Sequence, residues 1–440
     1  MWYNPGPNTV YSGGGWHYDG AENYTLWSFQ PDGKGGASWN QDVIGDLYTQ
    51  QYIPTIGSAF TASNTSFYSL GGADSTVNDV ASDLDLALQG LVTQEAATGI
   101  WSNYSSTGAS HSGRSVFAEA VFMPSFGQGG LLAFVGGESP ANSTYHYNPT
   151  STDTAFVSMS NITIYDPNTS TWYHQKATGK VPPPRSQFCA VGNGDSATFE
   201  IYVFGGATSV DDDEREPTDI GYTDVYVLSL PSFTWFQATA PTELRRANHF
   251  CQVIGNSQML VIGGRNPSET GNPGVSFGTN GDPWTRHMRI FDMVNWRWTN
   301  TYNHTAVYTR PEAIQQHYSS AANSPNWSSP SLESLFPANS LFSANPASSS
   351  VKPAASHTGA IVGGVVGGVA LLAIVLAVVS FYCMRRRKHS RLASLEAEHD
   401  HAEPNYWEPV HEMPLVHERK SLPAELSSES ESRSDLPRME

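Results

Sequence analysis

Short apolar runs that end on paired glycines recur along the first two thirds of the chain. Residues 9–13 lead to Gly14 and Gly15, residues 66–70 to Gly71 and Gly72, and residues 131–135 to Gly136 and Gly137. Residues 200–204 lead to Gly205 and Gly206, and residues 259–262 to Gly263 and Gly264. The doublets stand 57, 65, 69 and 58 residues apart, and a tryptophan trails each one: Trp39, Trp101, Trp172, Trp235 and Trp298. Residues 26–29, 162–165, 225–228 and 290–293 supply a further strand between doublet and tryptophan, whereas the second unit shows no clear strand between Gly72 and Trp101. Pro31-Asp32-Gly33 and Asp166-Pro167-Asn168 carry turn chemistry. The pattern predicts an all-β array of repeated units. A near-continuous apolar strand suits burial between neighbouring sheets. Glycine lets the backbone turn at positive φ and approach a neighbour, and tryptophan offers a large packing surface. One unit cannot bury both of its faces, so the units are expected to stack radially.

Residues 361–383 break this pattern with 23 consecutive uncharged positions. As a helix they extend about 34 Å at about 1.5 Å per residue, enough for a hydrocarbon core of about 30 Å. Arg385, Arg386, Arg387 and Lys388 follow at once. A basic flank marks the cytosolic side, so the N-terminal part is expected outside and the C-terminus inside, at the plasma membrane or another membrane of the secretory pathway. The Asn-X-Ser/Thr sequons agree: Asn23, Asn64, Asn103, Asn142, Asn161, Asn168, Asn303 and Asn326 all precede the helix. Gly359, Gly363 and Gly367 are spaced by four, which puts a smooth stripe on one helical face and offers a route to a homodimer.

From residue 319 to 357 the chain turns to Ser, Ala, Pro and Asn, the composition of a disordered spacer. The tail from 396 to 440 carries 12 acidic and 4 basic residues and is expected to be disordered. The expected divisions are residues 1–315 for the ectodomain, 316–357 for the stalk, 358–384 for the membrane helix and 385–440 for the cytosolic tail. Met1 leads into Trp-Tyr-Asn-Pro-Gly-Pro without a basic or apolar leader, so a targeting signal is expected upstream. With 15% charged and 12% aromatic residues, 39 glycines and 28 prolines, the composition suits many short strands. A formal charge of −18 argues against a nucleic-acid partner.

Strand, glycine doublet, aromatic-bearing strand and tryptophan together resemble the kelch repeat of β-propellers. Phe-Cys-Ala-Val at 188–191, Ile-Tyr-Val-Phe-Gly-Gly at 201–206, Met-Leu-Val-Ile-Gly-Gly at 259–264 and Ile-Phe-Asp-Met at 290–293 look like fungal kelch-repeat membrane proteins over roughly residues 1–385. The resemblance implies an all-β kelch-type propeller of five to six blades, N-terminally truncated here, then one membrane helix and a disordered tail. Residues 308–314 resemble the start of a last strand. It further implies a cell-surface protein that binds an extracellular protein or glycan without catalysis.

Such propellers also include the copper-dependent galactose oxidases, so a carbohydrate oxidase is the alternative, and a structural wall or membrane component is a third reading. Oxidase chemistry needs histidines, tyrosines and a cysteine–tyrosine crosslink at one copper ion. His249, His287 and His304 show no ligand spacing. Asp211-Asp212-Asp213-Glu214 reads as a solvated acidic loop before it reads as a calcium site. No catalytic residue, cofactor or metal ligand is therefore assigned. Cys189 and Cys251 stand in matching contexts, Gln-Phe-Cys and His-Phe-Cys, on what would be adjacent blades. Two readings stay open. One is a disulfide between blades, closing a loop of about 60 residues and adding roughly 4 kcal/mol. The other is a pair of buried thiols packing as small apolar groups.

The topology has a direct test. Enzymatic removal of N-glycans from the chain made in a secretory host is expected to lower its mass. In sealed microsomes the segment beyond residue 385 is expected to be cut by added protease. A chain of unchanged mass with a protected tail would reverse the orientation.

Overall fold

The computed structural model describes residues 2–4, 8–12, 26–34, 36–42, 56–74, 84–110, 112–146, 154–208, 222–238, 245–267, 281–319 and 324–336. Contacts divide the chain into Met1–Pro346 and Ala347–Glu440. All described residues belong to the first unit. The doublet Gly14 and Gly15, the sequon at Asn23 and the acidic loop 211–214 lie outside them. So do the helix 358–384 with Gly359, Gly363 and Gly367, and the tail. Among the described residues no helix is long and apolar enough to cross a membrane.

Five antiparallel meanders follow one another. Blade 1 holds Trp2–Asn4, Thr9–Ser12, Leu26–Pro31 and Ala37–Asp42; blade 2 holds Ala59–Ala62, Ser66–Leu70, Leu91–Glu95 and Trp101–Tyr104. Blade 3 holds Glu119–Met123, Leu131–Val135, Asn161–Asp166 and Thr171–Lys176. Blade 4 holds Cys189–Gly194, Phe199–Phe204, Val225–Leu230 and Thr234–Gln237, with Thr178–Gly179 added in parallel at its outer edge. Blade 5 holds Ala247–Ile254, Gln258–Arg265, Met288–Asp292 and Arg297–Thr299. First strands of successive blades lie side by side, and each repeat tryptophan sits on the fourth strand. The protein is mainly β, a five-bladed propeller of kelch type. The excursions after the doublets of blades 2 and 3 also pair with each other, Thr144–His146 against Leu84–Ala87.

The core is a series of seams between blades. One apolar cluster joins blades 2 and 3, a second blades 3 and 4, a third blades 4 and 5. Two recurring contacts close each seam, and they run in opposite directions. The second glycine of a doublet donates its N–H forward to a carbonyl that opens the next blade: Gly72 to Ser115, Gly137 to Arg185, Gly206 to Arg246. The tryptophan of the next blade reaches back. Trp172 Nε1 donates to the Ser105 carbonyl and Trp235 Nε1 to the Met159 carbonyl, while Trp298 packs edge-on against Phe204. Burial of one such indole is worth about 3–5 kcal/mol against alanine.

Two buried arginines link successive doublets. Arg185 accepts from Gly137 through its carbonyl and donates from Nη1 to the carbonyl of Gly205 at 2.9 Å. Arg246 repeats this between Gly206 and Gly263. Burial pulls the Arg185 guanidinium down to about 10, so it keeps its charge at neutral pH, held 3.9 Å from the Tyr222 ring centre. Arg246 lies 3.5 Å over the Trp284 ring and forms a two-point ion pair with Asp282. In blade 3 Ser115 holds the equivalent position, and Arg114 before it donates to the Ala87 carbonyl.

Three sequence expectations are corrected. Blade 2 does have a strand between Gly72 and Trp101: Leu91–Glu95, whose Thr93, Gln94 and Glu95 make it look polar. Residues 308–314 do not begin a strand. Pro311 stands at the N-cap of the helix Glu312–Tyr318, and Glu312 is favourable beside its N-terminal dipole. Nor does the composition of a spacer keep residues 324–336 off the propeller. Leu332 and Phe336 are buried in the seam between blades 3 and 4, Trp327 meets Phe233 edge-on, and Gln175 bonds the backbone of Asn326 and Ser328. The earlier part of this extension is held by a buried polar knot. Glu200 accepts from Tyr308 at 2.7 Å and from Ser229 at 3.0 Å, and Tyr318 receives the Ser232 N–H. Burial pushes the Glu200 carboxyl up to about 7 against those hydrogen bonds.

A matched pair of substitutions isolates the seam. Gly205 and Gly263 have φ of +68° and +67°, so alanine carries the same backbone strain at both. At Gly205 the new Cβ would collide with the Arg246 carbonyl, whereas nothing lies within 4 Å at Gly263. Gly263→Ala is expected to cost about 1–2 kcal/mol, and Gly205→Ala a further 1–3 kcal/mol, on the order of an overpacked core. Urea unfolding of the two variants reads the difference directly.

Candidate functional site

The first strands of blades 2 to 5 wall a cavity of about 670 Å3. Residues 60–64 come from blade 2, 119–122 and 124 from blade 3, 189–194 and 199 from blade 4, and 249–253 from blade 5. Its lining mixes aromatic surface, Phe60, Phe122 and Phe250, with the side-chain amides of Asn64, Asn193 and Gln252. Phe250 is 41% exposed, an apolar ring left facing solvent.

Glu119 is the charged chemistry of the cavity. It heads an otherwise apolar strand, Glu-Ala-Val-Phe-Met, with its side chain partly wetted at one edge. Burial pushes its carboxyl up to about 8, and no hydrogen bond or cation among the described residues opposes that. At neutral pH it is mostly a neutral acid, able to donate one hydrogen bond. A cation brought beside it would draw it into the ionised form. Sequence reasoning passed it over, although a lone carboxylate inside an apolar inner strand is a readable signal.

Blades 4 and 5 meet at the cavity wall through Cys189, His249 and Cys251. Blade 5 alternates buried and exposed positions over its first strand, which puts His249 and Cys251 on the face towards blade 4. Cys189 and Cys251 are joined in a disulfide with Cα atoms 5.6 Å apart. His249 contributes a ring nitrogen, so that one potential ligand atom from each of the three residues lies within 4.8 Å of the others. His249 Nε2 faces the Phe204 carbonyl at 3.2 Å. A carbonyl only accepts, so Nε2 carries the proton and Nδ1 is a bare lone pair, buried without a partner among the described residues. Burial first, and the Arg246 charge second, lower the ring to about 3, against the Phe204 bond. The imidazole is neutral at physiological pH.

The other sequence-selected residues are spread over the surface. Asn64, Asn103, Asn142, Asn161, Asn168, Asn303 and Asn326 are exposed, and Asn64 lies on the cavity lining. The described repeat glycines Gly71, Gly72, Gly136, Gly137, Gly205, Gly206, Gly263 and Gly264 all adopt positive φ. His287 bonds Asp282, and His304 is exposed on its own loop. His249 alone of the three histidines joins the cysteines.

The Glu119 carboxyl sets a pH dependence. Folding keeps its proton between the ordinary value of 4.5 and about 8. The stability it contributes is therefore complete below pH 4.5 and lost as pH rises through about 8. Glu119→Gln is expected to flatten that fall by about 1–2 kcal/mol, allowing for the wetted edge. Urea midpoints measured from pH 5 to pH 9 report the change of slope.

Comparison with known proteins adds the lineage. Residues 150–327 match the KLHDC2/KLHL20/DRC7 Kelch-repeats domain. A "Kelch repeat-containing protein" of Arthroderma benhamiae is 33% identical over 174 residues, 38% of this chain and 23% of that protein. The "Dynein regulatory complex subunit 7" of Chlamydomonas reinhardtii is 33% identical over 97 residues, 21% of this chain and 7% of that one. The chain thus spans under a quarter of the length of these relatives. The matched span runs on to Trp327, through the helix Glu312–Tyr318 and into the segment that packs between blades 3 and 4. Residues 150–327 are therefore a kelch-repeat domain, carried on the later blades of a kelch-type β-propeller.

Proposed function

We propose that this chain is a non-catalytic binding protein, held in a secretory-pathway membrane by the helix at 358–384, whose propeller cavity receives a basic segment of a partner protein outside the cell. The observation that carries the reading is the Glu119 carboxyl, without a partner among the described residues, in a cavity lined by aromatic rings and amides. Rings cover the aliphatic stem of a lysine or arginine, amides meet a peptide backbone, and the carboxyl ionises to meet the cation. Residues 1–357 hold 14 Lys and Arg against 29 Asp and Glu, a formal charge of −15 that draws a basic segment inward from a distance. The algal relative is by name a subunit of a complex, in keeping with a scaffold that assembles with other proteins. Against the oxidase reading, Cys189 and Cys251 are tied to each other, which leaves neither for a crosslink to tyrosine.

Purified full-length chain in detergent micelles, probed with displayed peptides and with a glycan array, tests this. Lysine- or arginine-bearing peptides are expected to bind, and more tightly as pH rises through about 8. Glu119→Gln and Phe250→Ala are each expected to weaken binding about tenfold, as anchor residues do. Binding confined to glycans would remove the protein partner, and variants that bind as well as the parent would move the site out of the cavity.

A further inference from the structure

We infer that Cys189, His249 and Cys251 form a site for one thiophilic metal ion, Zn2+ or Cu+, that opens when their disulfide is reduced and closes when it re-forms. The three residues are buried and set one ligand atom each within 4.8 Å of the others. Two thiolates and an imidazole are the donor set that soft and borderline ions prefer over calcium or magnesium. The second observation is independent of the cysteines. His249 is 7% exposed, and its Nδ1 is buried without a hydrogen-bond partner among the described residues. A buried, bare lone pair is costly unless something accepts it, and a metal ion does so. The proton on Nε2, held by the Phe204 carbonyl at 3.2 Å, fixes the tautomer and the ring angle as an outer partner does in known metal sites.

Size becomes compatible once the disulfide opens. With metal–sulfur bonds of about 2.3 Å and metal–nitrogen bonds of about 2.0 Å, a sulfur and a nitrogen on one ion stand no more than about 4.3 Å apart. In the oxidised chain the ligand atoms lie within 4.8 Å of one another, so a sulfur must turn toward the ring to share an ion, and breaking the S–S bond frees both sulfurs to do so. Three protein ligands suit Cu+ as they stand. For Zn2+ a fourth ligand would be a water from the cavity, whose lining includes all three residues.

The chemistry balances with a thiol as reductant. Two thiol molecules become one disulfide and deliver two electrons and two protons, which break the Cys189–Cys251 bond and leave two thiols. Each thiol gives up its proton as it binds the ion. Re-oxidation reverses the exchange: a small-molecule disulfide accepts two electrons from the two thiolates, takes up two protons and leaves as two thiols, while the Cys189–Cys251 bond re-forms and the ion is released. Disulfide and metal compete for the same sulfur atoms, so one state excludes the other. None of this depends on whether the cavity also takes a peptide.

The test uses full-length protein in detergent, reduced with a phosphine that is then removed without air. Zn2+, Cu+ and, as an optical stand-in, Co2+ are titrated separately. One ion per reduced chain is expected, with a cobalt–thiolate charge-transfer band, and none in the oxidised chain. Zn2+ is expected to shield both thiols from alkylation in the unmutated protein. His249→Ala is expected to weaken binding at least tenfold, and Cys189→Ser with Cys251→Ser to abolish the band while the far-ultraviolet sheet signal persists. A reduced chain that binds no ion, whether still folded or not, overturns the proposal. So does equal binding by the oxidised chain, or unchanged affinity in His249→Ala.

Discussion

The hydrogen bond from the second doublet glycine to the opening carbonyl of the next blade is the contact on which the propeller depends. It needs a backbone at positive φ with no Cβ, because a neighbouring main chain occupies that space at Gly71, Gly137, Gly205 and Gly206. It also fixes how closely the two sheets approach. Arg185 and Arg246 turn separate bonds into a continuous chain, since each accepts from one doublet and donates to the next. Burying a guanidinium is tolerable only with aromatic faces and carbonyls to receive it, and Tyr222, Trp284 and the doublet carbonyls do so. Blades 3 to 5 are joined in this way; at the junction of blades 2 and 3 Ser115 supplies the carbonyl and Arg114 turns elsewhere.

The fold was readable where a local signal coincides with a backbone requirement. Paired glycines after an apolar run report positive φ directly, and a tryptophan at a steady distance reports the outer strand. The third strand of blade 2 lacks such a signal because Thr93, Gln94 and Glu95 replace the usual aliphatics. The C-terminal extension was hidden for the opposite reason. Its Ser- and Pro-rich composition obscures three anchors, Trp327, Leu332 and Phe336, whose burial depends on a groove built from residues 121–235, far upstream.

The cavity could not be read in that way. Its walls are four strands separated by about 60 residues each, and no linear pattern states which side chains face one another across the gap. Glu119 is visible only as one carboxylate in an apolar strand. His249 and Cys251 are two apart in a strand, so they share a face, yet the third member, Cys189, arrives from the preceding blade. Matching repeat positions brought the two cysteines together on the page. Nothing in the spacing of the histidines set one of them apart.

The route of the chain after the last blade also has a mechanical consequence. From blade 5 the polypeptide passes across blade 4, where Tyr308 and Tyr318 are held, and then seats Trp327 and Phe336 between blades 3 and 4. Tension arriving from residue 337 onward therefore enters at the seam between blades 3 and 4 instead of at the last strand of blade 5. To peel the terminal sheet, a pull must first draw two large aromatic side chains out of a packed cluster and then rupture the knot at Glu200. The extension acts as a strain relief, of the kind that keeps a tugged cord from loading its terminal.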